Sequence, residues 1–265
     1  MPPIAVPKSI DLFNRAADLR LGDVEQAMQL RFQLLPLLRR QPGDPMVRIA
    51  LIYACRVAGF RDEAIEHVEA VGPLIRFADY PERINYAASL GAVGRPDHAV
   101  SILSDMLDAG QVPTTNNRHK LAMLCAFLAG DVPFLERLAN REALVDTEPS
   151  ASKLLAVLDD LELRAALPAV QRAILEVMAD IQMDAVFKPS EHPDDGRHFL
   201  SLRLYVDASK VHRLDVADAL NDRLTEVFAD YPEVRDDWWW RLMVTVHAAP
   251  RHESLPAAPR TRLAA

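Results

Sequence analysis

Glycine is scarce in this chain, nine among 265 residues, yet four of the nine recur at a near-constant interval. Gly22, Gly59, Gly94 and Gly130 lie 37, 35 and 36 residues apart. Five residues after the first three come Ala27, Ala64 and Ala99, while Leu135 holds the fourth place. Spacing of this size marks supersecondary units repeated along a chain, each too small to bury its own apolar face. Before each glycine runs a helical apolar stretch: LFNRAADLRL, VRIALIYACRVA, INYAASLGAV and KLAMLCAFLA. Glycine tolerates the left-handed backbone that ends a helix. Asp23, Asp62, Asp97 and Asp131 follow within three residues and are expected to cap the next helix. In those second helices Ala64, Val68 and Val71 share one stripe, as do Ala99, Leu103 and Met106. The unit expected is a helical hairpin in which glycine turns the chain and a small alanine lets two helices cross closely.

These residues resemble the tetratricopeptide repeats, units of 34 residues built as helix–turn–helix, which carry this glycine and this alanine. The resemblance spans residues 9–142 and is clearest in the second and third units. Several positions depart from the family pattern. Arg39, Arg76 and Gln111 stand where its proline belongs, although Pro36, Pro73 and Pro113 lie nearby. Ile52 replaces a small residue in the second unit, whereas Ala87 fits in the third. Arg31 occupies the stripe where Val68 and Leu103 lie. The alternative is an irregular helical bundle. What the resemblance implies about binding is a surface along the inner face of the first helices. The matching positions are Ile49, Tyr53 and Arg56, then Ile84, Ala88 and Gly91, then Lys120, Leu124 and Phe127. Most are apolar or small, so the lysine and asparagine clamp that some members use on a terminal carboxylate is not supported. A groove for an apolar strip or a partner helix is the expectation, with packing against the C-terminal part as the rival.

From 150 to 182 the pattern stays helical. SASKLLAVLDDLELRAAL and PAVQRAILEVMADIQ read as two helices that cap the repeat. KPSEHPDDGRH, residues 188–198, reads as a loop, dense in proline and aspartate. Beyond it the apolar period changes from 3.6 to 2. In FLSLRLYVD, Leu200, Leu202, Leu204 and Val206 face one way; in WWWRLMVTVH, Trp238, Trp240, Leu242, Val244 and Val246 do. Between them VADALNDRLTEVFADYP is an amphipathic helix. Strand, helix, strand favours a parallel crossover. Because two strands alone are marginal, a third is expected from DAVFK, 184–188, or from another chain at an open edge, which would make a homodimer. The expected architecture is mainly α: a helical-hairpin solenoid followed by a small C-terminal α/β module. Its parts are a flexible start (1–8), the repeat (9–148), a helical connector (149–184), the module (185–248) and a disordered tail (249–265).

A net charge of −8 disfavours generic binding to nucleic acid or anionic membrane. No apolar run approaches the roughly 20 residues that span a bilayer, and the N-terminus lacks secretory grammar. Cys55 and Cys125, each in an apolar helical stretch, are expected as buried, unreactive free thiols, so the chain is placed in the cytoplasm. Glu191, His192, Asp194, Asp195 and His198 cluster in EHPDDGRH, but match no metal-site spacing. Neither GxSxG, a phosphate loop nor GxGxxG occurs. No catalytic residue, metal or cofactor is therefore assigned. Trp239 falls on the polar face of its strand beside Arg241, where interfaces favour aromatic residues; it is the best single contact candidate outside the repeats, with cover by a neighbouring helix or by the tail as the rival. The functional expectation is a non-enzymatic scaffold that binds a protein or peptide. MLDAGQVP and the 35-residue spacing also resemble pentatricopeptide repeats, which bind RNA. Another alternative is an enzyme with a site near the 188–198 loop.

Overall fold

The computed structural model describes residues 8–111, 116–141, 150–181, 183–191, 197–207, 210–231, 234 and 242–249. They form two compact units that divide between Val93 and Gly94, within the stretch read above as one repeat. The mainly α class is the one observed: the described residues form ten helices in sequence ahead of a small sheet that carries one more.

The first unit holds α1 (Lys8–Ala17), α2 (Val24–Arg40), α3 (Pro45–Ala58), α4 (Arg61–Ile75) and α5 (Tyr80–Ala92). Helix α3 packs on α1, α2, α4 and α5; α2 also touches α1, and α4 touches α5. Each second helix therefore lies against its own first helix and the next one. Surrounded in this way, α3 is buried at every position from Ile49 to Val57, as expected of a helix that is apolar all round. The second unit opens with α6 (Pro96–Asp108), α7 (Asn116–Ala129), α8 (Val132–Ala139), α9 (Ala151–Asp160) and α10 (Leu167–Val177). Here α7 packs on α6, α8 and α10, and α8 on α9.

The four spaced glycines all take the left-handed backbone, with φ of +100°, +90°, +79° and +68° at Gly22, Gly59, Gly94 and Gly130. A helix begins two residues after each, at Val24, Arg61, Pro96 and Val132. Ala27, Ala64, Ala99 and Leu135 are all buried, as are Val68, Val71, Leu103 and Met106. Gly110 uses the same turn. At Gly59, Gly110 and Gly130 the glycine N–H donates three residues back and the next N–H five back, satisfying carbonyls that the helix end leaves free.

The aspartate caps need correction. Of the four named, Asp131 caps α8, its carboxylate accepting from the Phe134 N–H at 2.9 Å. Asp62 and Asp97 lie inside the first turns of α4 and α6, where the helix dipole still favours a negative charge. Asp23 accepts instead from Arg20 N–H. Full caps occur on the first helices: Asp44 on α3, and Asp79 on α5 with Glu82 reciprocating.

The C-terminal helices end sooner than their sequence pattern. Helix α9 stops at Asp160 because Glu162 turns left-handed (φ 56°), and Arg164 ties the turn to Asp159 and Glu136. Strand β1 (Met183–Glu191) runs antiparallel to β2 (His198–Val206), which pairs in parallel with β3 (Leu242–Ala248). Helix α11 (Arg213–Ala229) connects β2 to β3 and packs on β3 and α10. Both the parallel crossover and the third strand are thus present. The loop expected over 188–198 is a correction, since Lys188–Glu191 continue β1 and His198 opens β2. Pro189 lies on an edge strand, the place in a sheet where proline is accepted because outward-facing N–H groups have no ladder partner to lose. Leu200, Leu202, Leu204 and Val206 are fully buried, while Tyr205 and His247 stack on the opposite face, 5.5 Å apart. The Trp238–Trp240 run, residues 1–7 and the tail from 250 lie outside the described residues.

Two glycines in the second unit make a matched test. A Cβ on Gly130 would lie 2.6 Å from Pro168 Cα, whereas one on Gly110 meets nothing within 4 Å. Left-handed strain alone costs about 1–2 kcal/mol. Gly110→Ala should lose about that much in a urea titration. Gly130→Ala should lose clearly more, because backbone must move. Equal losses would contradict the close approach.

Candidate functional site

The turn at Gly59 does more than reverse the chain. Phe60 N–H donates to Cys55 O at 2.8 Å, which folds the end of α3 onto the first turn of α4. Glu63 sits in that first turn, and His67 follows four residues later on the same face. From α2, Arg31 reaches across to Glu63. Its Nε lies 3.1 Å from both carboxylate oxygens and an Nη lies 2.8 Å from Oε2. The guanidinium also rests 4.7 Å from the centre of the Phe60 ring, a cation–π contact. Both charged side chains are largely shielded, at 21% and 23% exposure. A two-point guanidinium–carboxylate bond in such a setting is among the stronger polar contacts a protein makes.

The electrostatics follow from burial. Desolvation pushes the Glu63 carboxyl up, but the hydrogen bonds and charge of Arg31 more than offset it and hold it below its ordinary value. The same hydrogen bonds to Glu63 raise Arg31. Cys55 lies against this pair. Burial, with the neighbouring Glu63 charge adding, pushes its thiol up to about 12. His67 is 8% exposed, and burial lowers its imidazole below the ordinary 6.5 in spite of Glu63. Its Nε2 lies 3.6 Å from Glu63 Oε1, too far for a hydrogen bond, and has no hydrogen-bond partner. At neutral pH the cluster therefore consists of one ion pair, a protonated thiol and a neutral imidazole. Neither a buried thiol nor this imidazole is set up as a nucleophile with its base.

The positions that the repeat pattern pointed to lie elsewhere. Ile49, Tyr53, Arg56, Ile84 and Ala88 are buried. Tyr53 joins the first helices: its ring meets Phe13 of α1 edge-on at 6.4 Å, and its hydroxyl donates to Asn85 O of α5 at 3.3 Å. On α7, Phe127 is buried while Lys120 and Leu124 are partly exposed. Trp239 lies outside the described residues. Of the 188–198 acidic group, His198 has Nδ1 3.7 Å from Asp160 of α9, and 192–196 lie outside. Cys125 is buried, its thiol also pushed up to about 12. The Arg31 cluster itself escaped the pattern, although one sign of it was visible: a charged residue on an otherwise apolar stripe.

Two measurements probe the cluster. In a double-mutant cycle by urea denaturation, Arg31→Met and Glu63→Leu should each destabilise by about 2 kcal/mol, and the double variant by much less than their sum. Additive losses would show the pair to be uncoupled. Because folding lowers the affinity of His67 for a proton, the unfolded chain protonates first as pH falls below 6.5. The stability held above that pH is then lost. Relative to His67→Gln, the native chain should lose stability more steeply on acidification from 7 to 5; parallel curves would contradict the buried neutral imidazole. A comparison of the chain with protein-family models, curated proteins and solved structures found no match.

Proposed function

We propose that this chain is a helical-hairpin repeat protein of the tetratricopeptide type, and that it binds another protein without catalysing a reaction. The observation that carries the reading is the layering inside each unit. Second helices sit between their own first helix and the next, as α2 does between α1 and α3, α4 between α3 and α5, and α8 between α7 and α9. Second helices of successive hairpins are also tied side chain to side chain. Arg31 meets Glu63 at a separation of 32 residues, and Arg137 donates to Ser104 Oγ (2.6 Å) at 33. Such stacking leaves long rows of side chains for recognition, the usual work of these architectures.

With Ile49, Tyr53 and Ile84 committed to the interior, contact with a partner falls to other groups. Phe32 on α2 is 63% exposed and Phe77, just beyond α4, 85%. Covering such side chains gains apolar burial, and aromatics dominate binding energy at interfaces. The two cysteines are free and buried, which suits the reducing cytoplasm. No helix among the described residues is long and apolar enough to cross a membrane.

The test is cross-linking and affinity capture from the native cells, comparing the intact chain with Phe32→Ser/Phe77→Ser and with Trp239→Ala. The reading expects at least one protein whose retention drops about tenfold or more, a loss of roughly 1.4 kcal/mol, in a variant that melts like the parent. A captured second copy would move the reading to self-association. Unchanged capture in both variants, or retention of RNA in a salt-dependent way, would overturn it.

A further inference from the structure

The cluster at the Gly59 turn brings together three donors of different chemistry. Cys55 Sγ, a Glu63 carboxylate oxygen and the His67 imidazole nitrogen all lie within 4.8 Å of one another. Cys55 and His67 are buried and Glu63 is largely so. A further observation concerns the imidazole. His67 Nε2 is buried with no hydrogen-bond partner, and Glu63 Oε1 lies 3.6 Å from it. A buried polar atom left unmet costs about 1–3 kcal/mol, so native proteins rarely keep one without a reason. Sulfur, imidazole and carboxylate together are the donors that zinc takes.

We propose that Cys55, Glu63 and His67 form a binding site for a divalent cation of the zinc class. Around a tetrahedral ion, donors at the usual bond lengths lie about 3.5 Å apart; Glu63 Oε1 and His67 Nε2 are already at 3.6 Å, and no other pair needs to close by more than roughly 1 Å. Rotation of the three side chains on two fixed helices supplies this, because the Gly59 turn already holds α3 and α4 together. Glu63 gives Oε1 to the ion and keeps Oε2 on Arg31, whose Nη is 2.8 Å from it. Arg31 then becomes the outer partner that orients a ligating carboxylate. Coordination replaces the thiol proton: the S–H bond breaks, the sulfur lone pair binds the ion and the proton leaves to solvent. Binding is accordingly tighter at higher pH. Three protein donors leave the fourth position of the ion to water or an incoming ligand.

Cobalt chloride alone, titrated into tag-free full-length chain stripped with a chelator, tests the site. The expected result is a thiolate-to-cobalt charge-transfer band in the near ultraviolet that saturates at a single equivalent and is bleached by zinc. It should be absent in Cys55→Ala, with circular dichroism checking the fold. His67→Gln retains the thiol and should weaken cobalt binding at least about tenfold. If Cys55→Ala fails to fold, His67→Gln decides. Absence of the band in the native chain, a band of equal strength in folded Cys55→Ala, or unaltered affinity in His67→Gln would overturn the proposal.

Discussion

A left-handed residue at the end of a first helix is the constraint on which this structure depends. With Gly59 at φ of +90°, the next helix begins two residues later and packs back against the one before. An alanine at the crossing then lets the pair approach closely, and Ala64 is 1% exposed there. The same local rule at Gly22, Gly94 and Gly130 produces second helices with the same offset. Packing does the rest, because a hairpin of two helices cannot hide its apolar stripe from water by itself. Helix α3 shows the outcome most clearly: four neighbouring helices bury it all round.

That same turn sets the polar chemistry. By returning the chain at Phe60 it places Cys55, Glu63 and His67 within reach of one another. A charge from the preceding hairpin, Arg31, finds a bidentate partner in Glu63 where the stripe would otherwise be apolar. The cost of taking a guanidinium partly out of water is offset by a bidentate carboxylate and an aromatic face. Structure and electrostatics are therefore coupled at one point, where α2, α3 and α4 are clasped together. The pair stabilises the layer and also defines the environment in which His67 stays neutral.

The sequence was informative wherever local geometry decided the outcome. Glycine positions, the buried alanines and the alternation of Leu200, Leu202 and Leu204 follow from short-range periodicity, and the parallel return of β3 from the helix that connects it to β2. It was less informative wherever distant packing decided. Arg31 read as a flaw in a repeat because its partner Glu63 lies 32 residues away. Tyr53 and Ile49, expected along a groove, are buried, which one helix viewed alone does not show. Lys188–Glu191 read as loop because Pro189 is a breaker in isolation, yet an edge strand accepts it. Aspartates placed as caps by spacing shifted by a few residues, since the helix starts were set by the glycines.

The most direct measurement addresses the backbone at a turn. Gly22 has φ of +100° and open space where a side chain would go. A synthetic segment ligated at Cys55 to the remaining chain allows either alanine enantiomer at position 22. D-alanine prefers positive φ and restricts the unfolded chain, so it should stabilise relative to glycine by about 0.5–1 kcal/mol. L-alanine should destabilise by about 1–2 kcal/mol. Shifts of the same sign for both enantiomers, or L-alanine equal to glycine, would contradict the left-handed turn and with it the α1–α2 hairpin built on it.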